Sequence, residues 1–151
     1  MNLQEELKMQ SIRIYEMPDC KMVSSGKGMF GEEKFNRFEE WLSRRKRGLF
    51  PKDFLFGGED GFTWLYMLED DMSVPSEFEI IDFQGGLYAV ATDIDQKTDL
   101  DFMNAEVDKF LNENGLKRDS SRPQLGNIIT SPDVNKIIGY DQMDYYFPIK
   151  G

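Results

Sequence analysis

The chain has no histidine and a single cysteine, Cys20, among its 151 residues. Without histidine the commonest general base and the commonest neutral metal ligand are missing, and with them most hydrolytic triads and zinc sites. A single cysteine excludes a disulfide within the chain, which agrees with a reducing compartment. Basic residues are scarce: 18 Lys and Arg stand against 28 Asp and Glu, for a net charge of −10. A field of that sign repels phosphate backbones, so no direct nucleic-acid binding is expected. No apolar run reaches the length of a membrane span. The opening "MNLQEELKMQ" has acids where a signal peptide needs a basic and then an apolar segment. The expectations are no membrane contact and a cytoplasmic protein.

Aromatic residues are plentiful, with 12 Phe, 6 Tyr and 2 Trp, and there are 9 Met. Such side chains fill cores, and they also line soft, adaptable pockets. The length fits one domain. The expected organisation is an N-terminal tail over residues 1–10 and a single domain over 11–151, without linker or low-complexity tract.

That domain repeats itself weakly. "IRIYEMPDCKMVSS" from residue 12 and "FEIIDFQGGLYAVA" from residue 78 share a pattern: Ile14 matches Ile80, Glu16 matches Asp82, and Met17 matches Phe83. Each predicts two strands with a short connection, Pro18 in one and Gly85-Gly86 in the other. A helix follows in each half. "GEEKFNRFEEWLSRRKRG" puts Phe35, Phe38, Trp41 and Leu42 on one face, with early acids, a late basic run over Arg44–Arg47, and Gly48 as a stop. "DLDFMNAEVDKFLNENG" does the same with Met103, Val107, Phe110 and Leu111, ending at Gly115. Two more strands follow each helix: "FPKDFLFGG" and "FTWLYML", then "PQLGNIITS" and "MDYYFPIK". The fold class expected is α+β. It consists of duplicated β-β-α-β-β halves (residues 11–70 and 77–150) with pseudo-twofold symmetry, hairpin-linked antiparallel sheet, helices on one side and a central ligand cleft.

The stretch "EIIDFQGGLYAVA", the helix end "FLNENGL", the "ITSP" turn and the closing "MDYYFPIK", with Asp144 four residues before Pro148-Ile149, together resemble the GyrI-like or AraC-type effector-binding domain family. The resemblance runs from about Ser11 to Lys150. It implies a duplicated fold around a cleft for amphipathic, often cationic, aromatic compounds. Some members of the family are hydrolases of electrophilic drugs, and others inhibit a partner enzyme by binding it. Multidrug-sensing members carry a glutamate on the penultimate strand, whereas "PQLGNIITS" has no acid; Asp144 matches a different family acid.

The candidate site follows from aligning the two closing strands. An offset of 80 residues equates Trp64 with Asp144 and Tyr66 with Tyr146; an offset of 81 equates Trp64 with Tyr145 and reverses the faces. The first is preferred because it keeps Leu65, Met67, Tyr145 and Phe147 together on a buried face. The cleft is then lined by Trp64, Tyr66, Asp144 and Tyr146, with Phe54, Phe56 and Phe35 (or Phe30) completing an aromatic wall. Such a wall offers cation–π attraction and a carboxylate adds charge complementarity. The competing reading is a solvated Asp144 among core aromatics.

Other signals are weaker. "SSGKGMFG" lacks the spacing of a phosphate loop, "DIDQKTDLD" fails the EF-hand pattern, and Cys20 has no base to activate it. No cofactor, metal site or assigned catalytic residue is expected. The expected function is a free-standing module binding hydrophobic, in some cases cationic, small molecules, as a drug sink or as the sensor of a regulator. The alternatives are a small hydrolase with Asp144 as acid or base, and an inhibitor whose acidic surface binds a protein partner.

Overall fold

The computed structural model describes residues 11–45, 50–58 and 60–151. The expected tail, the end of the basic run and the Gly48 stop lie outside the described residues. The first half consists of β1 (Arg13–Met17), β2 (Cys20–Gly28), α1 (Glu33–Ser43), β3 (Asp53–Gly58) and β4 (Gly61–Met67). The second consists of β5 (Glu79–Phe83), β6 (Gly86–Ile94), α2 (Leu100–Glu113), the two-residue β7 (Lys117–Arg118), β8 (Leu125–Ile128), α3 (Pro132–Ile138) and β9 (Gln142–Lys150). The duplicated α+β architecture is the one the sequence predicts. Among the described residues no helix is long and apolar enough to cross a membrane.

Both long helices form where the apolar spacing places them. Phe35 and Phe38 of α1 are buried, and Phe38 packs with Val23, Tyr66 and Phe78. In α2 the Asp99 carboxylate caps the first turn by accepting from Phe102 N at 3.0 Å. Met103, Val107 and Leu111 seat that helix on Ala89, Ala91, Phe147 and Ile149. The two alanines of β6 leave the room a closely packed helix needs. α3 falls where the sequence predicts a turn. Ser131 caps it by accepting from Val134 N, Pro132 opens it, and Gly139 closes it at φ +83°.

The sheet runs in the order β1-β6-β9-β8-β3-β4-β2-β5, with antiparallel pairing throughout and β7 flanking the end of β9. One expectation needs correcting. The first two strands of each half are not a hairpin: β1 pairs with β6 and β2 pairs with β5. Their links, Pro18-Asp19 and Gln84-Gly85, cross each other instead of turning back. Gly85 N donates to Asp19 Oδ1 at 2.7 Å. A Cβ on Gly85 would overlap the main-chain oxygen of Met17 and the carbonyl of Pro18, so only glycine fits the crossing. The pairs Met17↔Gly86 and Cys20↔Phe83 are symmetry mates of one another, as the sequence repeat implies.

The crossing draws the two ends of the sheet together, and the curled sheet encloses one of its own faces. That face carries a single buried cluster including Met22, Phe54, Leu65, Phe83, Tyr88, Val90 and Leu125. The other face bears α1 and α2. Beside the crossing, Arg122 is buried over the Tyr88 ring at 4.7 Å and donates to Leu87 O and Ile149 O, both at 2.8 Å. It also pairs with Asp119 at 2.8 Å. The Arg122 guanidinium, helped by Ser121, holds the Asp119 carboxyl well below the usual carboxylate range.

Candidate functional site

The two halves meet in mid-sheet through one bridge, Leu55↔Gly126 between β3 and β8. Directly paired residues share a face, so Ala91, Tyr145, Gly126, Leu55 and Trp64 form one row across the helix-bearing side. Over the middle of that row lies a cavity of about 660 Å³. Leu55, Gly126, Met143 and Tyr145 floor it. Phe30, Phe62 and Trp64 line it from the first half, and Thr98, Leu100 and Ile128 from the second. The described residues lining it include the carboxylates Asp53, Asp95 and Asp141 and no Lys or Arg. A smaller pocket of about 290 Å³ shares Asp53, Trp64 and Ile128 with it.

Several of these side chains are fixed from behind. Trp64 Nε1 donates to Asp53 Oδ2 at 3.1 Å, and the indole packs on Phe38 (5.7 Å between centroids), Phe35 and Phe30 (6.1 Å each). Tyr145 OH donates to Thr98 Oγ1 at 3.1 Å, and that hydroxyl donates to Ile94 O at 2.9 Å. Thr130 Oγ1 donates to Asp141 at 2.7 Å. Phe30 is 57% exposed and rests edge-on against Phe35. Ligand contact would remove that apolar surface from water.

The structure gathers only part of the set expected from sequence. Trp64 borders both pockets. Tyr66 shares its face but lies beneath Trp41 of α1 and borders only the smaller pocket. Phe35 is buried under Trp64. Phe54, Phe56 and Tyr146 belong to the enclosed core on the opposite face. Asp144 lies on that face too, with its side chain 8% exposed, accepting from Arg13 Nη2 at 3.1 Å and from Thr92 Oγ1. The register equates Trp64 with Tyr145, an offset of 81, so the preferred offset of 80 is corrected by one residue. A slip of one reverses every side chain. Alternation gave no guide here, because β9 is covered on both faces: Phe147 and Ile149 meet α2, and Tyr146 meets the enclosed core.

The lining residues missed include Asp53, Leu55, Phe62, Thr98, Gly126, Met143 and Tyr145. Gly126 left one signal, since a lone glycine inside a strand marks a close approach. Here the Met143 methyl occupies the space its side chain would take.

Burial, and secondarily the Asp144 charge, pushes the Tyr146 phenol up to about 12; burial also raises Tyr66 and Tyr88. A phenol raised in the fold stabilises it fully below the unfolded value of 10.0, and that contribution is lost as pH climbs toward 12. In an ultraviolet phenolate titration the buried tyrosines are expected to ionise late, and Tyr146→Phe to remove one phenolate's share of that late absorbance. A late step unchanged in Tyr146→Phe would refute the assignment.

No family model and no curated protein sequence matches the chain. Solved structures do resemble it. A hydrolase from Listeria innocua superposes with a TM-score of 0.67 at 13% identity, over 92% of this chain and 91% of that one. The EcmrR C-terminal domain gives 0.60 at 8% identity, over 92% and 96%. SAV2435, solved bound to tetraphenylphosphonium, gives 0.53 at 12% identity, over 95% of each chain. These likenesses establish a shared fold.

Proposed function

We propose that the chain binds hydrophobic small molecules, aromatic cations among them, in the 660 Å³ cleft between its halves, acting as a drug sink or as the effector sensor of a regulator. Residues 11–151 then form one binding unit, with each half supplying one wall. The observation that carries the reading is the set of aromatic rings Phe30, Phe62, Trp64 and Tyr145 around a cavity whose charged lining, among the described residues, is acidic. Rings of this kind stack on flat ligands and attract cations, and carboxylates beside them strengthen the attraction. The cavity size suits a drug-sized ligand. The binding of tetraphenylphosphonium by SAV2435 supports the choice of probe.

Calorimetric titration with tetraphenylphosphonium is the test. Saturable binding is expected, with affinity lowered about tenfold in Trp64→Ala, the value of one lost good cation–π contact. Asp144→Asn is expected to bind like the wild type, because that carboxylate faces the enclosed core. Absence of saturable binding, or an unaffected Trp64→Ala, would end this reading.

A further inference from the structure

The smaller pocket has a chemistry of its own. It shares Asp53, Trp64 and Ile128 with the main cleft, so the indole stands as a partition between two compartments. Its far side is built by Leu42 of α1, by Arg45 just after that helix, and by Pro51 and Lys52 before β3. Lys52 Nζ is already paired with Glu69 at 3.1 Å. Asp53 receives the indole N–H. Glu39 adds a second carboxylate to the lining. Arg45 differs: its guanidinium lies beside the Tyr66 hydroxyl, but its Nε is buried and no acceptor among the described residues meets it. A buried donor without an acceptor is costly, and an acceptor brought in by a ligand recovers that cost.

We infer that this pocket is a second subsite of the cleft, which takes a neutral hydrogen-bond acceptor, a ketone or amide oxygen, on the side arm of an aromatic ligand seated in the main cavity. The inference rests on the binding function proposed above. Neutrality follows from the lining. In the described lining the cations of Arg45 and Lys52 are matched by the carboxylates of Glu39 and Asp53, so an anion finds no net charge complement and still loses its hydration, whereas a carbonyl oxygen meets the N–H at a smaller desolvation cost. The volume of about 290 Å³ leaves ample room for such an arm. The ligand class is therefore an aryl compound with a carbonyl-bearing arm long enough to pass the edge of Trp64.

The test uses three naphthalene probes with arms of equal length, ending in a methyl ketone, the matching isopropenyl hydrocarbon and a carboxylate. Each is titrated calorimetrically into the full chain and into Arg45→Met, which keeps an apolar stem and loses the donor; thermal melts confirm that the variant is folded. The ketone-to-hydrocarbon affinity ratio is expected to fall about tenfold in Arg45→Met, the value of a hydrogen bond to a charged donor. In the wild type the carboxylate is expected to bind more weakly than the ketone. An unchanged ratio would mean that solvent alone satisfies Arg45, and would overturn the subsite. A carboxylate that outbinds the ketone would overturn its neutrality. If tetraphenylphosphonium binds the wild type while the ratio does not move, the subsite fails and the main cleft stands. If neither tetraphenylphosphonium nor any naphthalene binds, both readings fall.

Discussion

Arg122→Met is expected to lower stability by about 3–5 kcal/mol, the range seen when one partner of a buried, hydrogen-bonded charge is removed. For a chain of this size that corresponds to a fall in Tm of roughly 10 °C or more. Burial alone does not account for so large an effect. The guanidinium holds Leu87 O at the start of β6, Ile149 O at the end of β9 and, more loosely, Gly85 O in the crossing link at 3.4 Å. Its loss takes a donor from three main-chain oxygens and leaves Asp119 without its cation. Methionine fills most of the space above Tyr88 and can replace none of the five-donor fork. The control is Arg44→Met, at a residue that, like its partner Glu40, is well exposed; about 0.5 kcal/mol or less is expected. Equal melting points for the two variants would show that the crossing is held by other contacts.

The second large effect concerns the cleft. Gly126→Phe is expected to weaken tetraphenylphosphonium binding by about a hundredfold, roughly 3 kcal/mol, while the protein stays folded. Gly126 sits mid-floor between Leu55 and Tyr145, so its side chain would rise into the space the ligand needs. The Met143 methyl is the only close obstacle to a Cβ there, and it is the end of a flexible side chain that can swing aside. The backbone at Gly126 is not in the left-handed region, so strand geometry accepts the substitution. Crowding is expected to cost about 1–3 kcal/mol of stability, less than the loss from Arg122→Met. A folded Gly126→Phe that binds tetraphenylphosphonium as the wild type does would place the ligand elsewhere and remove the cleft from consideration.

The sequence alone determined the two long helices and eight of the strands, and their order, but neither α3 nor the two-residue β7. Phe35, Phe38, Met103, Val107 and Leu111 recur at helical spacing, and that spacing is a local property that no distant contact needs to confirm. The repeat linking Met17 with Phe83 was also readable, because both residues end a strand at the same point of a symmetric crossing. Tertiary structure decided which strand pairs with which and which face looks outward. β1 leaves its own half because Gly85 lets two chain links pass at main-chain contact, and nothing local to β1 specifies that. The face of β9 was undetermined for a related reason. Hydrophobic alternation reports a face only when the other one meets water, and here α2 covers one side and the curled sheet covers the other. Asp144 could therefore be read as a cleft acid until pairing set it beside Arg13 and Thr92, and put Tyr145 in the row with Trp64.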